Sequence, residues 1–443
     1  MKILIIDAGG VCLDFALRCQ AYGHQVKAFI RHNKDGSRSE VGDGGLIERV
    51  TDWEKYMNWA DLIFCTDNTF YIHGLERYRD KGYPIIGPSI DTNRWEQDRQ
   101  HGAKIMEMAG IDVIPSQEFS NYDDAIKLVM ETNKRYVSKP LGDGNKALSY
   151  VSKTPADMVY MLQKWKKSDA YKGEFILQEF HGGIEIAIGG WFGPNGFSKH
   201  WCINHEYKKL LAGDLGVSTG EEGTIVYYTQ ESLLADKVLK PLEDYLAALG
   251  YTGYIDVNSI INEKSGDVWP LEFTMRPGWP LFMIQQALHR GDPVKWMLDM
   301  LDGKDTLKVS DKIACGVVIT MPPYPFDKGT PTNEHAGYPM FDLTMEDVTK
   351  NVHLAAVMCG KAPAMVGDKL KLNEEMFVTA GNYVCIVSGL GDTVEEARKT
   401  CYDRIKKKIN IPNSIGYRVD IGCRLEEQLP ELRNMGYSKK RYG

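Results

Sequence analysis

Gly253-Tyr-Ile-Asp256-Val-Asn258-Ser-Ile-Ile261 leads, through a polar turn at Glu263–Asp267, into Val268-Trp-Pro270-Leu-Glu272-Phe-Thr274-Met-Arg276-Pro-Gly278. The two runs are apolar and rich in β-branched and aromatic residues, and the turn between them is short. They read as two paired strands. A carboxylate inside an apolar strand is costly unless a cation or a donor meets it. Here Asp256 and Glu272 fall near adjacent strand ends, with the amide of Asn258 beside them. Hard oxygen donors of this kind suit Mg²⁺ (or Mn²⁺), bridging one or two carboxylates to nucleotide phosphates. Asp256 and Glu272 are therefore the candidate metal ligands.

Upstream lie pieces that a nucleotide would need. Lys139 ends an apolar strand, Tyr136–Lys139, and precedes Pro140-Leu-Gly142-Asp-Gly144-Asn-Lys146. A lysine beside a glycine loop can meet phosphate oxygens while the loop's N–H groups close over the rest. Gln178-Glu179-Phe180 follows another apolar run, and Glu185 comes seven residues after Gln178. Backbone at such a hinge can read an adenine edge, and the later carboxylate can accept from ribose hydroxyls. Phe175–Phe180 and Ile184–Ile188 read as a second apolar pair of strands.

The N-terminal part alternates strands (Ile3–Asp7, Gln25–Ile30, Leu62–Cys65, Tyr83–Ile86) with helical stretches, the pattern of a parallel sheet with covering helices. The Gly9-Gly10 turn reads equally as an anion-binding helix start or as a plain strand-to-helix turn. Arg94–Gly110 reads as one helix. From Ala314 the chain is strand-rich again, with Val317–Thr320, His353–Val357, Phe377–Thr379 and Tyr383–Val387, then a helix at Val394–Lys408.

The 443 residues allow two to four structural units at roughly 100–200 residues each. Hydrophobic content of 43% and charged content of 26% are ordinary for a folded chain, so general disorder is excluded. A net charge of −7, with basic residues spread out, argues against nucleic acid as a partner. Nine Cys without a CxxC pair suggest reduced thiols in a cytoplasmic setting. The chain opens directly on a strand, and no run of about 18 apolar residues occurs, so neither a signal peptide nor a membrane partner is expected.

Taken in order, these motifs resemble the ATP-grasp superfamily, and most nearly the phosphoribosylamine–glycine ligases of purine biosynthesis. Ile85-Ile-Gly-Pro88-Ser89, a helix carrying Lys104, and Gly110-Ile-Asp-Val-Ile-Pro115 are similar to that family's entry into its ATP-binding region. Asp214-Leu-Gly216-Val-Ser-Thr219-Gly220-Glu-Glu-Gly223 resembles its DTGPNTGGMG stretch, with Lys208 upstream, and Gly416–Arg424 resembles its C-terminal YRxDIGxR. The resemblance implies an α/β ATP-grasp fold: an N-terminal Rossmann-like domain (1–97), an ATP-grasp domain (98–310) with a mobile lid (about 117–188), and a C-terminal strand-rich α+β domain (311–443). It implies that Lys104 and Lys139 hold ATP phosphates, and that Gly142 and Gly144 belong to the phosphate loop. Gln178, Glu179 and Phe180 form the adenine hinge, Glu185 binds ribose, and Asp256 and Glu272 hold Mg²⁺. Arg276, Lys208 and Asp214 take catalytic roles.

The departures fall on the substrate side. The family's GGREHA is here Gly9-Gly10-Val-Cys-Leu-Asp14, without its Arg, Glu and His. Thr274 replaces the usual Asn, so Asn258 or water completes the metal's ligands. The implied activity joins a carboxylate to an amine at the expense of ATP, as a phosphoribosylamine–glycine ligase does. One alternative is the same chemistry with another amine or carboxylate, in nucleotide or secondary metabolism. The other is an ATP-binding protein without ligase activity. Both substrates are small molecules, and a monomer or homodimer is expected.

Overall fold

The computed structural model describes residues 1–33, 35–141, 149–168, 173–326, 336–412 and 415–439. The Gly142 and Gly144 of the expected phosphate loop lie outside the described residues.

The first five short strands pair in parallel. Their order is Glu48–Val50, Gln25–Ile30, Lys2–Asp7, Leu62–Cys65, Ile85–Ile86. The chain winds to one side of Lys2–Asp7 and then to the other, so the order reverses between Lys2–Asp7 and Leu62–Cys65. Open α/β sheets bind ligands in the crevice at such a switch point. The helix expected over 94–110 is two helices. Ser89 forms a capping box that starts Ile90–Gln97. Asp98 leaves helical geometry and accepts from His101 N to start Arg99–Met108. A short acid in extended backbone is a strong helix start, and it overrides the continuous periodicity.

Ser116–Phe119, Phe175–Glu179, Tyr136–Pro140 and Tyr150–Val151 form a separate antiparallel sheet. Two helices, Tyr122–Thr132 and Pro155–Ser168, join it around a small core that includes Val129, Tyr136, Leu162 and Trp165. Phe175–Glu179 and Ile184–Gly193 do not pair with each other: the first belongs to this sheet, the second to the largest one. The chain crosses between sheets within Phe180–Gly183.

The largest sheet runs Val268–Thr274, Gly253–Ile261, Ile184–Gly193, Trp201–Leu211, Leu215–Thr229, Ile313–Thr320, Tyr383–Gly391, Val352–Leu354. Strands from beyond residue 311 thus continue the sheet begun at Ile184, through the pairing of Gly223–Val226 with Ala314–Val317. The helix Leu281–Leu288, buried along its whole length, fastens the N-terminal sheet to this one. Its Phe282 ring lies 5.5 Å from Phe15 and 5.4 Å from Phe64.

Candidate active site

Cross-strand register collects the polar residues of the large sheet. Gly189 lies opposite Asp256, Ala187 opposite both Asn258 and Asn204, and Asn258 opposite Glu272. Directly opposed residues share a face, and alternate residues along a strand do too. Glu185, Asn204, Glu206, Asp256, Asn258 and Glu272 therefore point the same way, and Lys208 bonds into the group. The Lys208 ammonium lies 2.7 Å from Glu185 Oε1 and 3.0 Å from Glu206 Oε2. Asn258 Nδ2 donates to the same two carboxylates at 3.0 and 2.9 Å. Asp256 Oδ2 accepts from Asn204 Nδ2 at 2.9 Å and from the Tyr254 hydroxyl at 3.0 Å.

Burial and the neighbouring charges divide these groups. Burial would lower the Lys208 ammonium, but Glu185 and Glu206 reverse that and hold it well above its usual range. Burial, with Glu206 adding to it, pushes Asp256 up to about 7. For Glu272 the same penalty is overcome by Arg99, 2.6 Å away, with Lys139 and Lys208 helping, and its carboxyl is held well below the usual range. Glu272 is thus ionised and accessible, while Asp256 is poised near neutrality.

The four-stranded sheet brings the other group of predicted residues. Lys139 Nζ donates to Gln178 Oε1 at 3.1 Å. Loss of solvent in the cleft pushes Lys139 down to about 8, against the pull of Glu272. The Arg135 guanidinium stacks 3.5 Å over the Phe180 ring. Glu179 is ion-paired with Lys134 at 2.7 Å. The N–H groups of Glu179 and Phe180 already bond to the carbonyls of Pro115 and Arg135. Gln178, Glu272, Arg99 and Glu96 line one cleft between the two sheets.

The remaining predicted residues sit apart. Lys104 is exposed on Arg99–Met108 and is not among the residues lining that cleft. Asp214 is ion-paired with Arg418 at 2.8 Å and Arg424 at 2.6 Å, tying its turn to the C-terminal segment. Arg276 bonds to Glu96 at 3.1 Å and faces a second cleft, lined by Gly9, Arg31, Asn68, Phe70 and Trp279. This second cleft lies at the switch point of the N-terminal sheet. There the buried Asp7 carboxylate itself accepts from Gly9 N at 3.2 Å and Cys12 N at 2.6 Å. The turn's N–H groups are partly satisfied from within.

Four residues of the site were not singled out by the motifs: Arg99, Asn204, Glu206 and Glu221. Asn204, Glu206 and Lys208 recur at every second position of an otherwise apolar run, and that alternation was a readable signal.

The oxygens present fit a magnesium ion. Glu272 is ionised, and Asn258 Oδ1 is buried without a partner. Among the described residues no group of three or more His, Cys, Asp or Glu closes a metal cage. Mg²⁺ asks only for one or two carboxylates when phosphates supply the rest.

No family model matches the chain. It is 24% identical to the phosphoribosylamine–glycine ligase of Fusobacterium nucleatum, over 95% of this chain and 98% of that one. It is 23% identical to that of Lactococcus lactis, over 96% and 100%. Among solved structures, the phosphoribosylamine–glycine ligase of Thermotoga maritima superposes with a TM-score of 0.68 at 19% identity, covering 95% of this chain and all of that one. An ADP complex of N5-carboxyaminoimidazole ribonucleotide synthetase superposes at 0.57 and 15%, covering 91% and 95%. The architecture is that of the ATP-grasp proteins. Within that class the chain is similar, along nearly its whole length, to phosphoribosylamine–glycine ligases.

Proposed function

We propose that the chain is an ATP-dependent carboxylate–amine ligase of the phosphoribosylamine–glycine ligase type, working in the cytoplasm through an acyl-phosphate. The observation that carries this is the cleft between the two sheets. It sets Gln178, which accepts from Lys139, on one wall and the ionised Glu272 on the other. The Lys208–Glu185–Glu206 group lies within electrostatic reach.

ATP lies between the sheets, with Lys139 toward its phosphates and Glu185 toward its ribose. Glu272, Asp256 and Asn258 would hold Mg²⁺, which when bound would offset the charge spreading over the phosphoryl oxygens. A substrate carboxylate oxygen bonds to the γ-phosphorus as the bond to ADP breaks. The amine nitrogen then bonds to the acyl carbon, releasing phosphate and giving up a proton. Positioning supplies most of the rate, and no protein nucleophile is needed. Arg99 keeps Glu272 ionised before the nucleotide arrives.

The test is ADP release from Mg-ATP with glycine and freshly generated phosphoribosylamine, set beside a panel of other amino acids and amines. Glu272→Ala is expected to lower turnover at least about a hundredfold with the fold intact, since even outer partners of a metal act on that scale. Retained turnover would place the metal elsewhere. A second reading keeps the chemistry and changes the amine. It is favoured by the Asp7 carboxylate, which occupies N–H groups of the Gly9–Gly10 turn, and by the missing basic residues after it.

A further inference from the structure

The polar face continues past Lys208 into a part that the ATP chemistry does not use. Glu221 is 5% exposed and Glu222 is 1% exposed, on adjacent positions of Leu215–Thr229. Glu221 Oε1 is buried and meets no donor. Burial, then Glu206, drives its carboxyl well above the usual range, with Asp256 adding to the effect. Two more buried acceptors nearby, Asn204 Oδ1 and Asn258 Oδ1, also lack a partner. Glu185, Glu206, Glu221 and Asp256 thus gather around a single ammonium, that of Lys208. Native proteins leave few buried acceptors unsatisfied, and a cluster of them marks a place for something not part of the chain.

Three aromatic rings adjoin this cluster. The Tyr324 hydroxyl donates to Glu222 Oε1 at 3.0 Å. The Tyr383 ring lies 5.9 Å from Tyr324 and 5.6 Å from Trp279, and is within electrostatic reach of both Glu221 and Glu222. Trp279 also lines the open cleft beside Arg276. Buried acids that outnumber the cations near them, beside aromatic faces, are the surroundings that a protonated amine prefers. A small anion meets the opposite: two buried acids and the negative faces of rings.

We infer that Glu221 and Glu222, with Trp279, Tyr324 and Tyr383, hold a protonated amino group of a substrate, one that is not itself the attacking nitrogen. The inference rests on the ligase reading and adds the chemical class recognised beside the reacting atoms. Such a group has two sources: the ammonium of an amino acid whose carboxylate is activated, or the far ammonium of a diamine acceptor.

Calorimetric titration of the full chain saturated with Mg-ADP distinguishes them. Glycine is paired with acetate, and 1,4-diaminobutane with butylamine, so that each pair differs by one ammonium. The result expected is that one member carrying the extra ammonium binds at least about tenfold tighter than its partner, and that Glu221→Gln removes the difference. Preference for glycine assigns the pocket to the acid substrate, and preference for 1,4-diaminobutane assigns it to the amine. Equal or absent binding within both pairs overturns the inference, as does a preference that survives both Glu221→Gln and Trp279→Ala. Binding of Mg-ADP is measured first in the same experiment. Its failure would strike the ligase reading rather than this pocket.

Discussion

Among the described residues, two polar networks are built to opposite rules. In the first, His353 lies between Asp14 and Ser388, with Nδ1 3.1 Å from Asp14 Oδ2 and Nε2 2.9 Å from Ser388 Oγ. Arg18 Nε bonds to Asp14 at 3.1 Å, and Ser388 N donates to the Asn351 carbonyl at 2.8 Å. None of these four side chains leaves a buried polar atom unpaired. A Ser-His-Asp arrangement invites a hydrolytic reading, but Asp14, His353 and Ser388 are fully buried and their polar atoms are already paired with one another and with Arg18 and Asn351. They join the first helix to the far strands. In the second network, around Lys208, unpaired oxygens remain on Asn204, Asn258 and Glu221. The difference teaches how to separate a strut from a site: a closed network stabilises, while an open one waits for a ligand.

The largest effect should come from breaking the strut. Asp14→Ala leaves Arg18 without its buried counter-charge and His353 without one of its hydrogen-bond partners. Removing one partner of a buried pair costs about 3–5 kcal/mol. Denaturant unfolding should show that loss, while Mg-ADP affinity of the folded fraction stays unchanged. A matching fall in affinity would mean that the strut is part of the site. Lys208→Met should do the reverse. Turnover should fall about a hundredfold, the scale of losing one well-placed donor at a reacting phosphate, while stability changes much less than in Asp14→Ala. The two networks would be alike after all if the Lys208 variant simply unfolded.

The same contrast decides how much of the fold and of the site is legible in the sequence. The Gly253–Thr274 hairpin is legible because two carboxylates interrupt an apolar run, and a run of that kind announces itself. Lys139, Gln178 and Glu185 were legible for the same reason: each stands where an apolar strand ends or begins. The N-terminal alternation and the last helix, Val394–Lys408, were also plain. Trp201–Thr229 was not read as strands, although it supplies the centre of the large sheet. Only the alternation at Asn204, Glu206 and Lys208 marks it, and one of its partners, Ile313–Thr320, lies far away in sequence. Arg99 escaped because its role depends on an ion pair across 173 positions. Glu221 escaped because an unpaired acid looks like any surface glutamate until its burial is known. Lys104 and Asp214 were carried over by resemblance, and the structure puts Lys104 in solvent and Asp214 against two arginines.

The smallest effect is a pH response, and it too separates the networks. Between pH 7 and 9 the closed network should be silent, because burial keeps His353 below its ordinary range and Arg18 and His353 keep Asp14 ionised. Lys139 should respond, since loss of solvent puts it at about 8. At pH 7 it is mostly charged, and at pH 9 only about a tenth of it is. If Lys139 faces the phosphates as proposed, affinity for Mg-ADP should therefore fall about tenfold over that range. Stability should move the other way. The folded pKa lies below that of an unfolded lysine, near 10.4, so the unfolded chain binds more protons between about 8 and 10.4, and stability rises with pH there. Lys139→Arg keeps its charge throughout and should flatten both curves. Affinity that falls equally in Lys139→Arg would assign the titration to another group in the cleft.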